Sequence, residues 1–169
     1  MGRVRRIPPV ALVAVALIVA FIAVELVSGS GSETRGRAAP SLPREVLTPP
    51  RATLASLRGH PVVINFWASW CGPCKREADH LAALSHRLPG NARLIGVDWN
   101  DGAPGARAFI RHYGWTFPNL RDASGAVGNN FGLSGLPNTF VLDSRGRIAK
   151  VLIGPQTVAS FERALRQVE

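Results

Sequence analysis

Only two cysteines occur in the 169 residues, Cys71 and Cys74. A zinc site would need two more ligands, and His60, His80, His86 and His112 have no paired spacing that could supply them. No metal or other cofactor is called for. There is no block of Lys and Arg interleaved with aromatics, although Lys and Arg outnumber Asp and Glu by 20 to 11. The arginines are scattered instead (Arg35, Arg37, Arg44, Arg51, Arg58, Arg93, Arg107), which argues against nucleic acid as a partner. Proximity to an anionic bilayer accounts for the net charge of +9 more simply. No internal repeat is present, and the length fits one ordinary domain with a short appendage.

What is there begins with a targeting segment. Arg3, Arg5 and Arg6 precede Pro8 and Pro9, and residues 10–27 are then apolar except for Glu25. At about 1.5 Å per residue the run reaches most of the roughly 30 Å hydrocarbon core of a bilayer. It is apolar on every face, unlike a helix lying on a soluble core. No Ala-x-Ala pattern follows and no cysteine is placed for lipid attachment, so residues 1–31 read as an uncleaved signal-anchor or transmembrane helix; the alternative is secretion after signal cleavage. Positive charge ahead of the run keeps the N-terminus cytoplasmic and sends the rest outward, to the extracytoplasmic face of the cell membrane.

Residues 32–52 are rich in Ser, Gly, Pro and Arg and read as a solvated linker, with an edge strand within 42–47. From residue 53 to 169 apolar runs alternate with helical stretches, the pattern of an α/β domain in which helices cover a sheet. Strands are expected at 62–67, 94–97, 117–120, 140–142 and 148–153, the last two forming a hairpin across Ser144, Arg145, Gly146 and Arg147. Helices are expected at 74–88, with Ala78, Leu81, Leu84 and Leu88 on one side, at 106–113, between Asp122 and Phe131, and at 157–168.

The chemistry concentrates in residues 65–75, where Cys71 and Cys74 lie at the junction of a buried strand and a helix. There Cys71 caps the helix, and free backbone N–H groups with the helix dipole favour its thiolate. A thiol so placed falls below its free pKa of about 8.5 and becomes a nucleophile. Cys74, one turn further in, is placed to attack a mixed disulfide on Cys71 and release the substrate. Gly72 and Pro73 permit the tight turn between the sulfurs, and Pro73 is tolerated where the helix needs no N–H. Two other readings of the pair remain, a structural disulfide and a zinc half-site; so small a ring constrains little unfolded-chain entropy. Trp67 reads as core. Trp70, directly ahead of Cys71, reads as a shield and contact surface for the thiol, and Lys75 completes the local motif.

The stretch FWASWCGPCK (66–75) closely resembles the thioredoxin superfamily, and the membrane segment with GLPNTF (135–140) resembles its extracytoplasmic TlpA, ResA and DsbE (CcmG)-like branch. The resemblance covers residues 40–169. It implies a thioredoxin-like fold, a central mixed sheet flanked by helices, with an extra helix-and-strand insert at 101–122. It further implies a cis bond before Pro137, facing the cysteines, and substrate docking on the backbone of Leu136. Trp99 and Trp115, near the ends of the insert, are candidates for substrate contact, with core packing as their competing role. Two positions depart from the pattern. Asn65 stands where thioredoxin has a buried aspartate, and an amide cannot serve as a base; Glu77 is the candidate proton relay in its place, its bland alternative being a solvated helix face. Asp79 replaces a helix-kinking proline, so a straighter helix is expected.

The resemblance therefore implies dithiol/disulfide exchange on protein thiols, in the reducing direction of cytochrome c maturation, with a membrane electron-transfer partner. The rivals are a disulfide-forming oxidant of secreted proteins, a copper-handling assembly protein, which would want a histidine beyond His112, and a peroxidase of related fold.

Overall fold

The structure, a computed structural model, describes residues 35–88 and 90–168. Along the chain it places β1 (Glu45–Thr48), α1 (Leu54–Leu57), β2 (Val62–Trp67), α2 (Gly72–Ser85), β3 (Arg93–Trp99), α3 (Ala103–His112), β4 (Asn119–Asp122), α4 (Ala126–Phe131), β5 (Asn138–Leu142), β6 (Ile148–Ile153) and α5 (Val158–Leu165). The strands form one mixed sheet in the order β1-β4-β3-β2-β5-β6. β3 lies parallel to both β2 and β4, while β5 runs antiparallel to β2 and β6, and β1 antiparallel to β4. This is the mixed sheet flanked by helices that the resemblance implies.

β2 is central, and all six of its side chains are buried, as a strand covered on both faces requires. Its alternation divides the core. Val63 and Trp67 pack with Leu81, Leu84, Phe109 and Phe161 beneath α2, α3 and α5, whereas Val62, Ile64 and Phe66 pack with Leu57, Phe131 and Phe140 on the other face. The insert is fixed to the first face by stacked aromatics. Phe109 of α3 lies on Trp67 at 4.8 Å between ring centroids, and Trp115 meets Trp67 edge-on at 5.0 Å. Burying each such ring contributes on the order of 2–3 kcal/mol.

Helix starts differ from expectation for local reasons. α2 begins two residues early because Cys71 itself is the N-cap, with proline in the first turn. α3 likewise begins at Ala103, after the Gly102 cap and with Pro104 in its first turn. α2 runs unbroken through Asp79. α1, not expected, is a single turn closed by a capping box between Thr53 and Ser56.

The linker expectation for residues 32–52 needs correction over its described part. Gly36 N–H donates to the Ile148 carbonyl at 2.7 Å, Ala38 bridges to Arg147, and Ala39, Leu47 and Ala52 are buried. β1 is the expected edge strand, shifted to 45–48 by its pairing with β4. Composition cannot show that a polar, proline-rich stretch has a sheet edge to lie against. Among the described residues no helix is long and apolar enough to cross a membrane. The expected membrane helix at 1–31 lies outside the described residues.

Candidate active site

Because β2 ends at Trp67 and α2 starts at Gly72, the chain must turn within four residues, and Cys71 sits at the end of that turn. Its sulfur accepts the N–H of Cys74 at 3.1 Å, and its carbonyl accepts that of Lys75. The side chain thus occupies the capping position where the free N–H groups of a helix meet an anion. Cys71 and Cys74 form a disulfide, with 5.3 Å between their Cα atoms. Both residues are buried in the oxidised state, Cys71 4% and Cys74 2% exposed. Gly72 is exposed, Pro73 half-buried and Lys75 exposed.

The tryptophans divide by role. Trp67 is fully buried and donates its indole N–H to Asn119 Oδ1 at 3.1 Å. Trp70 is 57% exposed, beside the disulfide in sequence, and its indole N–H reaches the Asn100 carbonyl at 3.3 Å. Trp115 is core, donating to the Ala78 carbonyl, and Trp99 is half-buried, donating to the Gly125 carbonyl. Core packing is therefore the role the structure gives Trp115.

The Leu136–Pro137 bond is cis. Pro137 is buried and its carbonyl accepts Gly154 N–H at 2.9 Å, whereas neither backbone group of Leu136 has a backbone partner among the described residues. The half-buried Leu136 side chain packs against the cluster that contains both cysteines.

Glu77 is where the structure adds most. It is fully buried, which removes the solvated-face alternative. Its Oε2 accepts from Asn65 Nδ2 at 2.9 Å and its Oε1 from Gln156 N–H at 2.9 Å. Asn65 Nδ2 also donates to Thr139 Oγ1 at 2.9 Å, while Asn65 Oδ1 has no partner among the described residues. Desolvation pushes the Glu77 pKa up to about 7, against the opposing pull of the Gln156 and Asn65 hydrogen bonds. A signal for this burial exists in the sequence. Glu77 lies three residues after Cys74 and four before Leu81, on the same stripe as Ala78 and Leu84.

Sequence reasoning missed a second polar group, on the loop after β3. Asp101 accepts Ser69 N–H and Gly102 N–H, both at 2.6 Å, and so ties this loop to the turn that carries Trp70 and Cys71. Burial alone would raise the Asp101 pKa, but the donors at Ser69 and Gly102 outweigh it and hold the carboxyl below its ordinary value. Arg121 supports the loop from β4, donating twice to the Asp101 carbonyl and pairing with Glu45 at 3.0 Å.

A cysteine pair one helical turn apart, capping a helix at the end of a central strand and accompanied by a cis proline, defines a thioredoxin-like protein-disulfide oxidoreductase. Comparison with known proteins agrees. The family model described as AhpC/TSA matches residues 36–151, and the chain belongs to that family. It is 30% identical over 131 residues to the thiol-disulfide oxidoreductase ResA of Bacillus subtilis, covering 77% of this chain and 73% of the relative. It is 37% identical over 107 residues to the thiol:disulfide interchange protein HelX of Rhodobacter capsulatus, covering 62% and 59%. Among solved structures, a DsbF homologue from Corynebacterium diphtheriae superposes with a TM-score of 0.71 at 26% identity, covering 80% of this chain and 88% of that one.

Proposed function

We propose that the protein is an extracytoplasmic reductase of protein disulfides, of the kind that keeps apocytochrome c thiols reduced for haem attachment. Residues 1–31 hold it in the cell membrane and a membrane partner supplies its electrons. The observation that carries this reading is the Cys71-Gly72-Pro73-Cys74 motif at a helix N-terminus above a buried Glu77. The Gly-Pro dipeptide is that of thioredoxin, whose potential of about −270 mV is reducing. The likeness to ResA and HelX supports the same class. The anchor rests on Arg3, Arg5 and Arg6 ahead of the apolar run 10–27.

In the proposed cycle Cys71 as thiolate attacks a substrate sulfur. One S–S bond breaks as another forms, and the substrate leaves its first thiolate. Cys74 then gives its proton to Glu77 and attacks Cys71 Sγ; the second substrate thiolate leaves, so that the substrate has gained two electrons and the cysteine pair, now the Cys71–Cys74 disulfide, has lost them. Glu77 is suited to this because a base works best with a pKa near the operating pH. The unpaired backbone of Leu136 is free to hydrogen-bond an extended substrate strand, with Pro137 shaping the groove and Trp70 offering an apolar contact. Equilibration of the Cys71–Cys74 pair against a glutathione series tests the direction. A potential near that of thioredoxin is expected, and one near about −120 mV, the oxidising end, would reassign the protein to disulfide formation.

A further inference from the structure

Asp98 is a fully buried carboxyl that the exchange chemistry does not use. It lies near the C-terminal end of β3, in register with Trp67 on β2 and Arg121 on β4. Neither of its oxygens has a hydrogen-bond donor among the described residues. Arg121 Nε comes within 3.8 Å, but that nitrogen donates to the Asp101 carbonyl, as does Nη2, and Nη1 is committed to Glu45. A buried anion without donors is strongly disfavoured, whereas a protonated carboxyl needs only one acceptor. Such an acceptor is at hand, since the Asp101 carboxylate lies within hydrogen-bonding reach of Asp98.

We propose that Asp98 is a positioning residue that retains its proton and donates it to Asp101, so that Asp101 stays clamped on Ser69 and holds the turn carrying Trp70 and Cys71. The segment between the two carboxyls bears this out in its backbone. Asn100 has φ of +50°, a left-handed conformation in a residue that is not glycine, and its carbonyl is the one that receives the Trp70 indole. Asn100 N–H donates to the Asp122 carbonyl at 3.0 Å, and the next residue, Asp101, is held on Ser69.

The charged groups acting on Asp98 are Asp101 from its own loop, Arg121 from β4 and Glu45 from β1; β2 contributes the uncharged Trp67. Desolvation first, and then the negative charge of Asp101, push the Asp98 pKa up to about 8, with Arg121 opposing. Below that pH one proton is shared by two carboxyls. Above it the proton goes to solvent, two anions face each other, and the Ser69 clamp loosens. This device is independent of the direction in which the cysteine pair works.

The test is an NMR titration of the Ser69 and Gly102 amides in the oxidised full-length chain in detergent, alongside Asp98→Asn, whose amide can donate to Asp101 at every pH. In the wild type both amides should move with one midpoint near pH 8, and in Asp98→Asn both should stay still. Flat wild-type amides, or the same midpoint persisting in Asp98→Asn, would overturn the proposal. The rate of insulin disulfide reduction supplies the functional readout: the ratio of Asp98→Asn to wild type should climb as the pH passes 8, and a constant ratio would remove the positioning role. If Asp98→Asn does not fold, the infrared band of a protonated carboxyl at neutral pH decides. It should survive Glu77→Gln, and its loss there would assign the proton to Glu77 alone.

Discussion

Replacing Glu77 by glutamine should flatten part of the pH dependence of stability. In the unfolded chain this carboxyl gives up its proton near 4.5, and in the folded protein it keeps it to about 7. Between those values the folded state binds the extra proton, so raising the pH costs stability; the contribution is complete below pH 4.5 and lost as the pH climbs through 7. At 1.36 kcal/mol per pKa unit, the interval amounts to about 3 kcal/mol. The glutamine variant should fold, because Asn65 Oδ1 has no partner among the described residues and a turn of its amide offers the new side chain an acceptor while Gln156 N–H keeps its own. Urea denaturation of the oxidised protein at a series of pH values measures the effect. The wild type should lose about 2.5 kcal/mol more than the variant between pH 5 and 8. Parallel curves for the two proteins would show that Glu77 ionises as freely folded as unfolded, and the relay would lose its physical basis. Turnover should fall as well, by roughly 10²–10⁴ if Glu77 takes the Cys74 proton.

Two further outcomes follow from the geometry. Cys74→Ser should accumulate mixed disulfides between Cys71 and substrate proteins on non-reducing gels, whereas Cys71→Ser should trap few; equal trapping by both would contradict the division of labour. Gly96→Ala should destabilise the domain by about 3 kcal/mol or more, because a Cβ there would strike the Asn119 amide and come within 2.9 Å of Trp67 Nε1, breaking the hydrogen bond that joins them. An unchanged denaturation midpoint would mean that this side of β3 is looser than the structure indicates.

Much of the fold was legible because periodicity alone decides it. β2 and β6 match their expected bounds, and Ala78, Leu81 and Leu84 form the expected buried stripe of α2, while Leu88 lies beyond the helix, which ends at Ser85. The cysteine pair was legible because local sequence sets both the turn and the helix N-terminus. The buried acids were not read so directly, since charge suggests solvent and only position reveals the opposite. Glu77 falls on the stripe of Cys74, Ala78 and Leu81, and Asp98 shares the sheet face of Leu94, two and four residues after Gly96 and Leu94 respectively. Asp101 gave no such sign, because its partner Ser69 lies 32 residues away on another element. β1 escaped exact placement for the same reason: its pairing with β4 spans more than 70 residues of chain.

The amide at Asn65 has a consequence for the exchange chemistry that a carboxyl would not. A second acid at this position would face Glu77 at hydrogen-bond distance, and two carboxyls so close titrate as a pair, one pushed far up and the other down. Neither would then sit near neutrality. Asn65 instead donates to Glu77, as does the Gln156 backbone, and these two donors offset part of the desolvation that burial imposes. The balance leaves a single buried carboxyl near pH 7, one turn along the helix from Cys74, able to take a proton from a thiol in one direction of exchange and return it in the other. The departure from the thioredoxin pattern at residue 65 thus moves the titratable group from the strand to the helix, and the neutral amide left behind tunes it.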